Sequence, residues 1–534
     1  MAIGVPSESP AIVVKEVDLT GGVPNVQSTT GAFAGEFRWG PCEEAVLVDN
    51  EATLASTFGA PDDTFSVDFH TAASFLKYSS SLQVSRAVDS AARNAAADSA
   101  GGAVLIKNND AWDNGTWYGS AFAKHPGSLG NSLKMQVAGP TTWSGAAAAF
   151  TSEFDAAPTG NERHILITDE DGVITGTAGT VLERYAFVSS SSSATNADGS
   201  TNYEKSVINR GSNYVRINGA LDSNASLSFA GGVETTVTAS ETLLALDAFN
   251  DKDTITVDFM IAPGYATASD QETVVDDMVV TAGTTRKDCV VVTSPASASV
   301  VGNADPVTAT IADVADYTYS SYLFVDNNWL KVYDKFNDKY INIPAAGSTA
   351  GIMAASDAEA APWFSPAGSR RGAYLGVTSL AYTPTKAQRD TLYKAGINPI
   401  ANLPGQGILL YGDKTHMNRP SAFDRINVRR LFNVVERAVA LAARNTLFEL
   451  NDEFTRAEFV NIVEPFLREI KGRRGITDFR VVCDETNNTA AVIDRNEFVA
   501  NLFIKPARSI NYITLNFVAV RSGVDFEEVA GLQV

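Results

Sequence analysis

Strand and helix patterns alternate between residues 30 and 90, and this alternation constrains the fold more than any other feature of the sequence. VLVDN (46–50) predicts a strand, and NEATLASTFG predicts a short helix that ends at Gly59. VDFHTAASFLKYS predicts a second helix, and LQVSRAV (82–88) predicts a second strand. Strands that alternate with helices pack into layers, so this segment predicts an α/β layer.

The character of the sequence changes twice after this segment. Residues 91–103 are small and low in complexity, as in a linker. Between 104 and 345, short strand patterns are separated by loops rich in Thr, Ser, Asp, Gly and Ala, which predicts inserted, strand-rich domains. From 346 to 520 long amphipathic helices and apolar strands return. We therefore expect a multidomain, mixed α/β (α+β) protein, as its 534 residues also suggest.

The N-terminal segment PAIVVKEVDLT (10–20) predicts a β-branched strand that has no hairpin partner nearby in the sequence. Gly21 and Gly22 separate it from the rest of the chain. Such a strand must pair with a sheet elsewhere, in the same chain or in another one.

GILLYGDKT (407–415) differs from a phosphate-binding P-loop by one residue, Asp413. A P-loop needs a glycine-rich loop that wraps a phosphate, with the lysine directly after the second glycine. Here Ile408–Tyr411 has the pattern of a buried strand, and Asp413 places a carboxylate where phosphate would bind. The sequence predicts a core strand at this position and no nucleotide site.

Other candidate sites are also better explained as structure. Asp169–Gly172 lacks the spaced ligands of a calcium loop and predicts a hairpin turn. Cys483 has no nearby histidine and is interpreted as a structural thiol, and His416 as a loop histidine. Cys42, Cys289 and Cys483 form no CxxC pair. We therefore predict no catalytic residues, no cofactor and no metal site.

The charge of the chain is strongly negative and unevenly distributed. Its net charge of −21 argues against a nucleic-acid partner, and no apolar run is long enough to predict membrane insertion. Residues 231–320 contain 14 Asp and Glu against 3 Lys and Arg, whereas residues 405–480 contain 10 against 13. This asymmetry fits either an acidic domain beside a neutral one, or a neutral-to-basic part that faces a protein partner.

The helix predicted from Ser421 onward carries Arg430, Arg437 and Arg444 at intervals of seven, with Asn433 between the first two. These four residues, called here the arginine face, lie on one side of a helix. They form either a solvated surface with pairs such as Glu436 on the same helix, or a basic surface that docks on an acidic protein.

Several segments together resemble the tail sheath proteins of contractile-tailed, myovirus-type bacteriophages, a family similar to R-type pyocin and type VI secretion sheaths. The segments are AKHPGSLGNSLKMQV (123–137), DGVITGTAGTVLERYAFVS (171–189), KSVINRGSNYV (205–215), APWFSPAGSRRG (361–372), INPIANLPGQGILLYGDKTH (397–416), RINVRRLFNVVERAV (425–439), FRVVCDETNNT (479–489) and IKPARSINYITLNFV (504–518).

The resemblance implies a structural subunit, not an enzyme, that polymerises as hexameric rings in a helix around a tail tube and contracts from a metastable extended state. Residues 21–103 and 346–520 would form one inner domain facing the tube, and residues 104–345 would project outward. The implied partners are further copies of this chain, the tail tube protein, and the baseplate and tail terminator proteins. The implied location is the virion, after assembly in the host cytoplasm.

The resemblance also implies that arms at 1–20 and 521–534 add strands to neighbouring subunits, and that the arginine face contacts the tube. Strand exchange would involve Ile12, Val13, Val14, Val17, Phe526 and Val529. INYITLNFVAV (510–520) is either an arm or a strand of the receiving sheet. Two other functions remain as alternatives: a tail adhesin that binds host glycans, and a nucleotide-binding α/β enzyme that uses GILLYGDKT.

Overall fold

The computed structural model describes residues 28–97, 104–143, 152–219 and 221–510. Strands and helices alternate in the first and central parts of the chain, and the longest helices lie near the C-terminal end of this range. The strands are β1 (Gly31–Gly35), β2 (Val46–Val48), β3 (Leu82–Arg86), β4 (Ala121–Ala123), β5 (Leu133–Ala138), β6 (Glu162–Asp169), β7 (Thr180–Ser189), β8 (Val215–Ile217), β9 (Ser226–Ser228), β10 (Phe259–Ile261), β11 (Val290–Thr293), β12 (Leu323–Val325), β13 (Trp329–Asp334), β14 (Lys339–Pro344), β15 (Ser379–Leu380), β16 (Ile400–Leu403), β17 (Gly407–Leu410), β18 (Ile476–Val482) and β19 (Asn501–Pro506).

Several helices follow a residue whose side chain caps the helix, as at Asn50, Thr267 and Thr385. The helices are α1 (Glu51–Phe58), α2 (Ser66–Leu76), α3 (Asn109–Asn114), α4 (Glu204–Gly211), α5 (Ala239–Leu246), α6 (Ala268–Val280), α7 (Ser297–Val300), α8 (Pro306–Val314), α9 (Ala346–Glu359), α10 (Lys386–Lys394), α11 (Ile426–Ala443), α12 (Glu453–Gly472) and α13 (Ala490–Ile493). The two helices predicted between residues 50 and 80 are thereby confirmed as α1 and α2.

The largest sheet has six strands in the order β12-β11-β10-β1-β3-β2. The first five are parallel, and β2 is an antiparallel edge. Taken in chain order, the five parallel strands have the 2-1-3-4-5 arrangement of doubly wound sheets. The predicted α/β layer is confirmed.

Both faces of this sheet are buried because side chains of successive strand residues point to opposite sides. One face carries Phe33, Phe259 and Val292 and packs against α2 and α9. The other carries smaller residues, among them Ala32 and Ala34, and packs against the apolar residues of α5 and α6. Gly347 lets α9 approach α2 closely, since a Cβ there would lie 2.3 Å from the carbonyl oxygen of Thr71.

The inserted domain lies between β3 and α5 in the sequence. Its four-stranded antiparallel sheet has the order β7-β6-β5-β9, and β4 pairs with β8 beside it. The two sheets share one core, which includes Met135, Ile165, Ile208 and Val215. The predicted strand-rich insertion is thereby found, but with a different C-terminal border.

The border predicted at residue 345 is wrong, because β10, β11 and β12 lie in the main α/β sheet and not in the insertion. Each has three or four residues, all of them buried. A short buried strand of a parallel sheet lacks the alternation of polar and apolar residues that marks a half-exposed strand. The main sheet is therefore built from residues on both sides of the insertion.

The C-terminal helices and strands form a separate small core. Leu431 and Val435 of α11 pack against Phe459 and Val463 of α12, and the β18–β19 hairpin covers the same cluster. The helix predicted from Ser421 onward is α11, which spans Ile426–Ala443.

Candidate functional site

Helix α11 has two buried sides, and the arginine face occupies one of them. Leu431 and Val435 face α12, whereas Arg430, Asn433 and Arg437 lie over the amino-terminal ends of the parallel strands in the main sheet. The helix therefore joins the C-terminal core to the α/β domain.

Arg437 makes the closest connection to the sheet. Its Nη1 donates to Asp258 Oδ1 at 2.6 Å, and its Nη2 donates to the carbonyl oxygens of Val257 and Asp288 at 3.1 and 2.9 Å. Asp258 also accepts from the backbone N–H of Thr30, which precedes β1. This pair therefore ties α11 to the start of both β1 and β10.

Asn433 and Arg430 continue the contact along the helix. Asn433 Nδ2 donates to the carbonyl oxygen of Cys289, which precedes β11, at 3.1 Å. Arg430 pairs with Asp357 of α9, and its guanidinium lies 4.8 Å from the ring centroid of Phe259. Burial raises the pKa of Asp357 to about 6 although Arg430 beside it acts in the opposite direction. Burial likewise raises the pKa of Asp258, and the charge of Arg437 opposes that shift.

The expectation of one exposed arginine face is wrong at three of its four positions. Arg430 and Asn433 are 4% and 5% exposed, and the side chain of Arg437 is 13% exposed. Because their polar atoms bind carboxylates and carbonyls of this chain, they stabilise the subunit and are not presented to a partner. Arg444 alone is on the surface, with its side chain 60% exposed and paired with the exposed Asp253 at 2.7 Å.

An exposed apolar loop begins beside Arg444. The connection from α11 to α12 carries Leu447, Phe448 and Leu450, and the first turn of α12 adds Phe454; all four are exposed, Phe448 completely. Phe448 has a φ of 70°, which holds its side chain in a backbone conformation that bulky residues rarely adopt. We call these four residues the apolar loop. Clusters of exposed apolar residues mark interaction surfaces more often than isolated ones do.

The β18–β19 hairpin is a second unusual surface. Phe479, Val481, Leu502 and Ile504 cover the C-terminal core, whereas Phe503 on the opposite face is exposed. No other described strand pairs with β18 or β19. A two-stranded sheet is marginal alone and has unpaired N–H and C=O groups along both outer edges.

The residues predicted to exchange strands lie outside the described residues. Ile12, Val13, Val14 and Val17 precede residue 28, and Phe526 and Val529 follow residue 510, as does INYITLNFVAV after its first residue.

The P-loop-like segment is part of the core, as predicted. Leu409 and Leu410 are buried in β17, which pairs with β16. Asp413 is buried and binds Arg425 at 2.8 Å, and Lys414 Nζ donates to the carbonyl oxygen of Tyr393 at 2.6 Å. The lysine that would bind a phosphate and the carboxylate that would repel it are thus both engaged inside the fold.

The other sequence candidates are structural as well. Asp169 accepts from Ser132 Oγ and from the backbone N–H groups of Ile174 and Thr175, and it closes the connection between β6 and β7. Cys42, Cys289 and Cys483 are buried free thiols, and burial raises the pKa of Cys289 to about 12. Burial lowers the pKa of His416 to about 4. Within the described ranges no cluster of His, Cys, Asp and Glu has the spacing of a metal site.

The carboxyl ends of the parallel strands, where doubly wound sheets commonly bind ligands, are filled by the chain itself. Glu36, directly after β1, accepts from the backbone N–H of Val237, and Asp68 accepts from the N–H of Glu36. The cavity beside Glu36 has a volume of about 10 Å³, room for roughly one water molecule. Asp326, after β12, is fully buried and accepts from Thr349 Oγ1 at 3.0 Å.

In the part of the chain that is described, none of the helices has the length and apolar character to cross a bilayer.

Comparison with protein families gives two matches that together cover more than half of the chain. Residues 235–416 match the phage tail sheath protein central domain, and residues 418–519 match the phage tail sheath C-terminal domain. The first match begins at residue 235, where the chain returns from the insertion to the main sheet.

Similar proteins align along nearly the whole chain. The tail sheath proteins of Vibrio phage KVP40 and Enterobacteria phage T4 are each 31% identical to it, over 98% of this chain and 99% of their own length. Among solved structures, the sheath tail protein of Listeria innocua has a TM-score of 0.58 at 13% identity, covering 91% of this chain and 94% of that one. The contracted PVC sheath of an extracellular contractile injection system has a TM-score of 0.53 at 13% identity, covering 98% and 100%.

Proposed function

This chain belongs to the family of phage tail sheath proteins, structural components of contractile tails, and we propose that it polymerises as hexameric rings in a helix around a tail tube. The polymer shortens from a metastable extended arrangement and drives the tube through the host envelope. Its partners are then other copies of itself, the tube protein, and the baseplate and terminator proteins at the two ends. Assembly takes place in the host cytoplasm before the sheath becomes part of the virion.

The observation that carries this proposal is the β18–β19 hairpin, whose two outer edges pair with no other strand among residues 28–510 as described. A sheet edge accepts a strand from another chain through backbone hydrogen bonds, without the need for a preformed pocket. Its inner face already rests on the apolar core of α11 and α12, so an added strand extends a supported sheet. The hairpin is therefore assigned as the receiving sheet.

The donated strands come from the two ends of the chain. Residues 10–20 have the strand pattern PAIVVKEVDLT, with Ile12, Val13, Val14 and Val17 as the apolar positions. At the other end, Phe526 and Val529 lie in DFEEVAGLQV. Head-to-tail donation from each subunit to the next produces rings or open helices, since the same contact repeats without closing on a pair.

The apolar loop and Arg444 form the surface proposed to contact the tube. Of the four residues of the arginine face, only Arg444 belongs to this surface. The proposed tube contact therefore lies at the tip of the α11–α12 hairpin. Leu447, Phe448 and Leu450 supply apolar area there, and Arg444 supplies a positive charge whose present partner, Asp253, is also exposed. Aromatic residues and arginine are the types enriched at the centres of protein interfaces.

Contraction then needs neither a nucleotide nor a catalytic group. The contacts between subunits act as the two-state element, and their repacking releases free energy as the polymer shortens. A difference of about 1–3 kcal/mol per subunit is typical of conformational coupling, and it is multiplied by the number of subunits.

Electron microscopy of the purified full-length chain at increasing concentration tests the proposal. We expect tubes or stacked rings. Particles that stay monomeric at high concentration, under conditions where the chain is folded, would contradict it.

A further inference from the structure

A cleft of about 270 Å³ lies where the inserted domain meets the α/β domain. One wall comes from the connection between β1 and β2 and from α1, and it includes Trp39 and Glu44. The other wall comes from the inserted domain and includes Lys124, His125 and Arg216. Clefts between domains are frequent ligand sites, because two rigid surfaces meet there at a concave angle.

The two cations of this cleft are held by neutral acceptors. Lys124 Nζ donates to the carbonyl oxygen of Ser212 at 2.6 Å, and Arg216 Nη2 donates to Asn109 Oδ1 at 2.6 Å. Carboxylates act on them through their electrostatic field: Glu183 and then Glu44 raise the pKa of Lys124, and Asp113 and then Glu44 raise that of Arg216, against the larger effect of burial. The charges of Lys124 and Arg216 are therefore oriented by the fold but only partly neutralised.

Two buried nitrogen atoms of the same wall lack a hydrogen-bond partner among the described residues. They are Arg216 Nε and His125 Nδ1. Arg216 is 2% exposed and His125 is 7% exposed, so bulk water does not readily replace a missing partner. A buried polar group without a partner is destabilising, and an acceptor that binds at the guanidinium of Arg216 offsets this cost.

The local electrostatics favour an anion. Burial lowers the pKa of Lys124, and the positive charge of Arg216 lowers it further. Burial also lowers the pKa of His125 well below its usual value, and the charges of Arg86, Lys124 and Arg216 add to this shift. Burial is the largest cause of both shifts, and the neighbouring cations add to it, so Lys124, His125 and Arg216 bring their positive charge close together in a poorly solvated wall.

From these contacts we propose that the cleft binds an oxyanion, a carboxylate or phosphate group, between Lys124 Nζ and the guanidinium of Arg216. Charge-assisted hydrogen bonds from lysine and arginine suit such a group. Because residues of both domains line the cleft, a bound anion also fixes the inserted domain against the α/β domain. The oxyanion is either a free solute or an acidic side chain of a second copy of this chain; the second source rests on the proposed polymerisation.

Calorimetric titration of the full-length chain with inorganic phosphate, and separately with citrate, tests the free-solute source. Lys124→Gln should weaken binding about tenfold, the loss of roughly one charge-assisted contact. Lys205→Gln is the matched control, because Lys205 Nζ also donates to a carbonyl oxygen of the inserted domain, that of Asn218, but lies outside the cleft. Glu44→Gln should tighten binding, since it removes the opposing carboxylate; a general loss of structure cannot produce this gain.

Polymerisation followed by light scattering tests the second source. If phosphate and citrate do not bind, Lys124→Gln should raise the concentration needed for polymerisation while Lys205→Gln leaves it unchanged. Phosphate binding that is equally strong in Lys124→Gln and in the natural chain would overturn the proposal. So would the absence of anion binding together with identical polymerisation of Lys124→Gln and Lys205→Gln. The titration measures anion binding in unpolymerised chains. A chain that binds the anion but does not polymerise would therefore contradict the proposed function and leave the anion site intact.

Discussion

Arg437 donates to Asp258 across a distance of 2.6 Å and thereby binds helix α11 to the amino-terminal edge of the main sheet. Both residues are largely buried, and each has further partners in the same cluster. The pair makes the C-terminal core and the α/β domain a mechanically connected unit. Movements between subunits can therefore be transmitted from the hairpin of the C-terminal core to the sheet.

Replacing Arg437 by Met should strongly destabilise the subunit. The change leaves Asp258 buried without its counter-charge, and loss of one partner of a buried pair typically costs about 3–5 kcal/mol. Urea unfolding measures the free energy, and Arg444→Met is the control. The exposed Arg444–Asp253 pair should contribute less than about 1 kcal/mol. Equal losses in the two variants would contradict the assignment of Arg437 as an internal connection.

Replacing Asp326 by Asn should stabilise the protein at neutral pH and have little effect in acid. Burial raises the pKa of Asp326 to about 7. The buried carboxyl is thus neutral below pH 7 in the folded state, whereas an unfolded chain ionises it near pH 4. Folding stability therefore declines as the pH rises from about 4 to 7, and the decline levels off above that range.

Thermal unfolding at pH 4.5 and pH 8 checks this prediction. The gain from Asp326→Asn should reach roughly 2–4 kcal/mol at pH 8, the order expected from a pKa shift of this size. The amide keeps one acceptor oxygen for the backbone N–H of Asn328, and its NH2 group can donate to the hydroxyl oxygen of Thr349. A gain that is equal at both pH values would show that ionisation of Asp326 is not its cause.

Replacing Phe448 and Leu450 by Ser should abolish attachment to the tail tube without unfolding the chain. Both side chains are exposed, so their loss removes little core packing. Co-assembly with purified tube protein, followed by sedimentation, measures attachment. Tyr118→Ser is the control, because Tyr118 is a similarly exposed aromatic residue in the inserted domain. Unchanged co-sedimentation of the double variant would exclude the apolar loop as the tube contact.

Deleting residues 1–20 should prevent polymerisation and leave a folded monomer. The expectation follows from the proposal that this segment supplies a strand to another subunit. Circular dichroism and size-exclusion chromatography distinguish the outcomes. An unfolded truncated chain would place the segment in its own core, and normal tubes would show that it donates no essential strand.

The local elements were predictable because their signals are local. Thr385 with Gln388 predicts the start of α10, and the apolar pattern of residues 407–410 predicts β17. The border of the insertion was not predictable in the same way. Strand β10 pairs with β1 although the paired residues lie more than 220 positions apart in the sequence. A hydrophobic pattern within a few residues cannot predict such a pairing.

The burial of the arginine face is indicated in the sequence by the positions of two aspartates. Spacing by seven places Arg430 and Arg437 on one side of α11, but it does not tell which side is buried, and arginine is usually exposed. Asp258 and Asp288 each stand just before an apolar strand, at the same end of the sheet. Two carboxylates at that edge indicate where buried arginines find partners. The cleft with Lys124 and Arg216 had no comparable signal, since its walls come from distant segments.

A cryo-electron microscopy map of the polymer tests the central claim most directly, because it shows what lies along the edges of β18 and β19. The account predicts that strands from neighbouring copies, formed by residues 10–20 and by the C-terminal arm, continue this sheet on its free edges. A polymer in which β18 and β19 remain a two-stranded sheet, with subunits joined elsewhere, would contradict it.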